Sequence, residues 1–321
     1  MNDGSLFPAA DESQPPDENI VRIVEQLVPL LGPSAGEPRP LDGGITNRNF
    51  RITFGGTDYV VRVPGKDTSL LEIDRGAERI ANERAARIGI APPVAAALDD
   101  PAAIVTLFVE GRGVEPGELR EPQVLTEVAR SLRAIHDLGE PLPTGFDSFR
   151  VVETYADTAR ERGGSVPEAY DDAHEQAMRI EAALQGPEHD PVPCHNDLLA
   201  ANFIRGETQL WLIDWEYAGM GDRYFDLANY AVNNELDGAG EVALLTAYFG
   251  EDAGAGRVAT LRLMRFMSDY REAMWGVVQG VVSELDFDFE AYATKHFDRM
   301  AQTAAHPDFE TWLAQANEPE G

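Results

Sequence analysis

Residues 192–217 hold two carboxylates and an amide that could together run a phosphoryl transfer: Asp197, Asn202 five positions later, and Asp214. A general base must face the hydroxyl whose proton it takes, and magnesium asks for a few carboxylate or carbonyl oxygens beside phosphate and water. In a loop between short strands, Asp197 can face a substrate hydroxyl while Asn202 turns back to a metal. Asp214 follows the apolar run 210–213 and is the expected main magnesium ligand. The flanks 193–195 and 209–213 read as short strands. His195 is expected to hold the loop through backbone hydrogen bonds, because phosphoryl transfer depends on positioning and charge neutralisation.

A second constellation lies upstream. Arg62 is the one charge in the alternating strand 59–63, and burying an unpaired charge is costly. The helix expected over 73–88 carries Glu78. A strand cation paired with a helix glutamate holds the α- and β-phosphates in kinases; an edge arginine facing water is the plainer alternative. Between these and the N-terminal helix, residues 41–52 contain Gly43, Gly44, Asn47 and Asn49. A glycine-bearing loop can cover phosphates with its backbone N–H groups, although most Gly-Gly pairs are only turns.

The elements that must position these residues follow from periodicity. Helical spacing predicts a helix over 18–31, ended by Gly32-Pro33. A strand enters the glycine loop, 50–54 leaves it, and Gly55-Gly56 turns the chain into 58–63. Strands are expected at 94–98 and 103–108. Helices are expected at 121–138, 149–162, 168–184, 224–233, 241–249, 257–282, 287–305 and 308–316. This is an α+β, two-lobed arrangement: an acidic tail over 1–18 read as disordered, a small antiparallel-sheet N-lobe with one inserted helix over 19–110, and a larger, mostly helical C-lobe over 111–321. His136 reads as a satisfied core or cap histidine.

Four segments resemble one known family. His195-Asn196-Asp197-Leu198-Leu199-Ala200-Ala201-Asn202 resembles the H-x-D-x-x-x-x-N signature of the aminoglycoside phosphotransferase and choline kinase superfamily. Ile213-Asp214-Trp215-Glu216-Tyr217 is similar to the form typical of its choline/ethanolamine kinase branch. Residues 43–50 look like that branch's nucleotide loop, and Phe225-Asp226-Leu227-Ala228-Asn229 like its F-D-[IL]-x-N segment. The resemblance runs from residue 41 to about 300, with the motifs in family order. It implies a protein-kinase-like fold, ATP as co-substrate and Mg2+ as cofactor.

Residue by residue, the resemblance implies Asp197 as base, Asn202 and Asp214 as magnesium ligands, and Asp226 as a brace for the catalytic loop. Asn47 belongs to the nucleotide loop. Arg62 takes the place of the usual strand lysine and pairs with Glu78, with Glu83 the lesser choice. The backbone of 107–110, including Leu107 and Val109, meets adenine. The expected acceptor is a small cationic alcohol, choline or ethanolamine. A quaternary ammonium gains about 0.5–2 kcal/mol from each aromatic face. Trp215, Tyr217, Tyr224, Tyr230, Tyr270 and Trp275 are candidates, with Glu216 and Glu272 supplying charge. The family often has a second tryptophan three residues before Trp275, where this chain has Glu272; that favours an amine able to donate hydrogen bonds. Thiamine or an aminoglycoside is the alternative acceptor, and a catalytically silent nucleotide-binding protein the alternative of another class.

Composition bounds the partners. The net charge is −30, which argues against nucleic acid and anionic membranes. Only Lys66 and Lys295 are lysines, so 24 of the 26 basic residues are arginine. A GC-rich genome explains scarce lysine but not the acidity. Together they resemble a surface adapted to high salt, for which molar KCl should raise the melting temperature. The single cysteine, Cys194, excludes an intrachain disulfide and reads as a buried reduced thiol. No apolar run approaches the roughly 18–20 residues that span a bilayer, and the N-terminus lacks a basic and apolar leader pattern. A cytoplasmic protein is the expectation.

Overall fold

A computed structural model of the chain describes residues 18–41, 47–65, 68–115, 117–283 and 285–316. The glycine loop 43–46 and the acidic tail up to residue 17 lie outside them.

Helix α1 (Glu18–Leu31) leads into β1 (Ser34–Leu41), β2 (Asn47–Phe54) and β3 (Thr57–Pro64). Gly55 and Gly56 both take positive φ, as a tight hairpin turn between β2 and β3 requires. A Cβ on Gly55 would also stand 2.8 Å from the Leu31 carbonyl, so the end of α1 closes on this turn. Helix α2 (Arg75–Arg87) follows, capped by Asp74, whose side chain accepts from the Ala77 N–H. Strands β4 (Val94–Asp99) and β5 (Ala102–Leu107) complete an antiparallel sheet of order β1-β2-β3-β5-β4.

Alternation assigns this sheet two faces. Ile52, Phe54, Val61, Val63, Ala103 and Val105 bury one face against Ile20, Ile23 and Leu27 of α1, which lie on a single helical stripe. Each such apolar side chain contributes about 2 kcal/mol of burial. The opposite face presents Val60, Arg62, Ile104 and Thr106 to a cavity of about 330 Å³. The two-residue period thus sends Arg62 away from α1.

The rest of the chain is mainly helical. Strand β6 (Gly111–Gly113) is followed by α3 (Pro122–His136), α4 (Ser148–Glu161) and α5 (Ala169–Ala183). Then come β7 (Val192–Cys194), β8 (Phe203–Gly206), β9 (Leu210–Leu212) and β10 (Gly219–Gly221). Helices α6 (Arg223–Asn233), α7 (Gly238–Phe249), α8 (Ala255–Val282), α9 (Phe289–Ala304) and α10 (Phe309–Gln315) close the fold. The α+β class and the helix order agree with the expectation. Strands β6, β8 and β10 were not expected: each has three or four residues, too short for alternation to register. The strands flanking Asp197 do not pair with each other, since β7 pairs with β10, and β9 with β8, itself paired with β6.

Helix α2 lies between β3 and β4 in sequence and touches β4, but its apolar side packs into the helical part. Its Ala81 and Ala85, with Leu71, Ile73 and Ile90, join the larger apolar cluster of the helical part. Among the described residues, no helix is long and apolar enough to cross a membrane.

Candidate active site

The loop that carries Asp197 is held by Asp226, in the first turn of α6. Its Oδ1 accepts the Asn196 N–H at 2.6 Å, and its Oδ2 accepts the His195 N–H at 2.8 Å and contacts His136 Nε2 at 3.0 Å. His136 Nδ1 lies 2.7 Å from the Tyr248 hydroxyl, so the ring links α3, α6 and α7. One turn along α6, Asn229 accepts the Leu198 N–H and donates to Ser268 of α8 at 3.0 Å. Cys194 is buried beside this hub, and burial raises its thiol well above the usual value.

His195 holds the loop. Its Nδ1 accepts the Asp197 N–H, so Nε2 carries the proton and donates to the Ile213 carbonyl at 3.0 Å. Burial lowers its pKa, which keeps the ring neutral. The Asn202 carbonyl accepts the Ile213 N–H, bringing Asn202 and Asp214 together. Asn196 and Asp214 both sit at positive φ, 66° and 67°. Non-glycine residues occupy that region at a cost, and they concentrate at functional sites.

Asp197 lies at the foot of this loop, 8% exposed. Burial pushes its carboxyl up to about 7; Arg271 pulls it down, and Glu272 and Asp214 push it further up. The Asn202 amide nitrogen donates to the Asp197 carbonyl at 2.7 Å and to its Oδ2 at 3.0 Å. With its NH2 group committed, Asn202 has its amide oxygen left as a ligand atom. That oxygen and the Asp214 carboxylate form an all-oxygen donor set, which fits magnesium.

Arg62 bridges the sheet and this loop. It pairs with Glu78 at 3.4 Å and lies in close contact with Asp214. These carboxylates hold its guanidinium charged although it is buried. Arg62 and Asp214 line the 330 Å³ cavity with Leu107, Phe108, Val109 and Phe203. Glu83 instead pairs with Arg79 on the surface of α2. Asn47 donates to Glu216 at 2.8 Å, and Arg75 contacts both Glu216 at 3.2 Å and Glu78 at 2.6 Å. Arg75 was missed by sequence reading because one more arginine at a helix start carries no local signal.

Opposite the loop stands α8, which places Ser268, Arg271, Glu272 and Trp275 on one face by their three- and four-residue spacing. Trp275 Nε1 donates to the Tyr217 hydroxyl at 3.0 Å. Arg271 Nη1 donates to Glu272 at 2.6 Å and to Asp197 at 3.4 Å, and Tyr292 of α9 donates to Glu272 at 2.6 Å. The structure therefore brings Tyr217, Glu272 and Trp275 to Asp197, together with Arg271 and Tyr292, neither of which sequence reading singled out. Tyr224 is not in this group. It donates to Glu188 and packs beside His189 and Phe249, because α6 turns that face towards the 3-10 turn Pro187–His189 and α7. Trp215, Tyr230 and Tyr270 are fully buried and donate to the carbonyls of Leu212, Leu119 and Tyr170. Glu216 and Tyr217 also edge a larger cavity of about 730 Å³, whose wall includes Glu72, Asp74, Asp147, Tyr155 and Glu181.

Comparison with known proteins identifies the family. The phosphotransferase enzyme family matches residues 37–261. Protein LicA of Haemophilus influenzae is 26% identical, over 80% of this chain and 76% of its own. Ethanolamine kinase 1 of Mus musculus is 24% identical, over 90% of this chain and 89% of its own. The crystal structure of a choline/ethanolamine kinase family protein from Mesorhizobium loti superposes with a TM-score of 0.80 at 27% identity, covering 93% of this chain and 99% of that one. With a family match across more than two thirds of its length and a fold shared with the choline/ethanolamine kinase family structure, the chain belongs to the phosphotransferase enzyme family and is a small-molecule kinase of protein-kinase-like fold.

Proposed function

We propose that the chain transfers the γ-phosphoryl group of ATP to the hydroxyl of a small amino alcohol, with choline and ethanolamine the first acceptors to consider. The observation that carries this reading is the single cluster formed by Asp197, Asn202, Asp214 and Arg62 between the sheet cavity and the α8 face. Asp197 takes the hydroxyl proton, and a carboxyl near neutrality suits a base working near pH 7. Asn202 and Asp214 would hold magnesium, which when bound offsets charge on the transferring phosphates. Arg62, steadied by Glu78, faces the same phosphates from the sheet. The backbone around Leu107 and Val109 takes the adenine, in the apolar part of the cavity. Tyr217, Glu272 and Trp275 form the acceptor wall.

The names of the relatives support an amino alcohol, since they include choline and ethanolamine kinases. A bulkier acceptor, thiamine or an aminoglycoside, is the second reading, and the 730 Å³ cavity beside Tyr217 favours it. We place the lobe division at residue 110, where β5 has ended and β6 joins β8. A cytoplasmic location is inferred from the need for ATP. An ATP-coupled screen over choline, ethanolamine, thiamine and aminoglycosides tests the reading. Turnover of an amino alcohol that Asp197→Asn abolishes is expected; turnover of an aminoglycoside or thiamine alone would replace it.

A further inference from the structure

The acceptor wall already contains a cation. Arg271 is 2% exposed, and its guanidinium carbon stands 4.2 Å from the centre of the Tyr217 ring. A ring face of that kind is what a quaternary ammonium would seek. Among the described residues, Nη1 alone makes the charged contacts, to Glu272 and Asp197. Nε and Nη2 are buried and have no hydrogen-bond partner among the described residues. A buried donor left unmet is costly, and here two belong to one charged group. They are the side-on edge of the guanidinium, whose parallel N–H bonds match two oxygens of one carboxylate, phosphate or phosphonate. Lysine, a point charge, could not offer that geometry. An acceptor bringing only a cation meets like charge on the Tyr217 ring. One that also brings an oxyanion satisfies both donors.

Resting on the amino-alcohol reading above, we propose that the acceptor is a hydroxylated amine that itself carries an oxyanion, gripped by Nε and Nη2 of Arg271. The hydroxyl is then presented to Asp197, which shares Nη1 of the same guanidinium. The ammonium is left to the neighbouring cavity, where Glu72, Asp74 and Glu216 line the wall next to Tyr217. Arg271 thereby sets acceptor specificity, and the bond between Glu272 and Nη1 holds its fork in place.

The test uses the full chain with ATP and magnesium, and amino alcohols of two to four carbons offered with and without a carboxylate or a phosphonate. At least one oxyanion-bearing acceptor should exceed its oxyanion-free partner at least tenfold in kcat/KM; whether that one is a carboxylate or a phosphonate identifies the group. Arg271→Lys should remove the preference by raising the acceptor KM at least tenfold while the KM for ATP changes less than twofold. No oxyanion-bearing acceptor reaching that tenfold advantage, or a preference that survives Arg271→Lys, overturns the proposal and leaves the amino-alcohol reading standing. Turnover of no amino alcohol of either kind overturns both. Thermal melting of the unsubstituted protein with a non-hydrolysable ATP analogue gives a check that needs no variant. Larger stabilisation by oxyanion-bearing acceptors is expected, and equal stabilisation within each pair counts against the proposal.

Discussion

The two sides of the cleft treat their polar groups differently. On the loop side, both oxygens of Asp226 are engaged, His195 uses both ring nitrogens, and the Asn202 NH2 group is committed to Asp197. On the α8 side, a fully buried arginine keeps two donors without partners, beside a carboxylate held by a tyrosine from another helix. Asn196 Oδ1 is buried on the loop side without a partner among the described residues, but the bonds that fix the backbone of the loop are met, which leaves it few low-energy arrangements. Open donors in a buried wall favour whatever completes them, which is how a site can select its substrate. On the reading proposed above, the loop side serves the reaction and the α8 side the acceptor.

Substitutions on each side can break or sharpen that contrast. The largest effect is expected from Asp197→Asn, which removes the base: kcat should fall roughly 10²–10⁴-fold, read as ATP-dependent turnover, with folding unchanged by circular dichroism. Next, Asp226→Ala leaves the His195 and Asn196 N–H groups and His136 without their acceptor. It should cost about 3–5 kcal/mol in denaturant unfolding, whereas an α8 substitution of similar size would change KM more than stability. Arg62→Gln should raise the KM for ATP roughly tenfold through lost charged hydrogen bonds and leave acceptor KM nearly unchanged. Trp275→Phe removes one bond to Tyr217, about 1 kcal/mol or roughly a fivefold rise in acceptor KM, with kcat little altered.

The loop side also has a pH signature. Burial alone would raise the Asp226 carboxyl, but the His136 contact and the His195 N–H outweigh it and hold it below the usual range. A depressed folded-state pKa stabilises the fold above the unfolded value, and that contribution is lost as pH falls through the folded value. The stability gap between the unsubstituted protein and Asp226→Asn should therefore be full near neutrality and shrink below about pH 4. A gap independent of pH would remove the charge of Asp226 from the account.

Much of this molecule was legible along the chain. Helix α1 follows from the stripe Ile20, Ile23, Leu27, and Arg62 stands out because alternation places it on the face opposite Val61 and Val63. The short strands β6, β8 and β10 escaped because three or four residues cannot display a period. Tyr224 looked like an acceptor ligand only because aromatic residues near the motif were all candidates; the turn of α6 that bears it faces Glu188 and Phe249 instead.

By itself the sequence determined the reaction, because Asp197, Asn202 and Asp214 lie in one short stretch whose turns are local. Only the tertiary structure decided what faces them. Arg271 is 74 residues from Asp197 and reaches it because α8, buried on almost every side, packs against α6 through the Asn229–Ser268 bond. A helix buried on most sides, with Asp269, Arg271 and Glu272 among its buried residues, has no single apolar stripe to show which of its faces meets the site, so the wall opposite Asp197 could be seen only once the helices were packed.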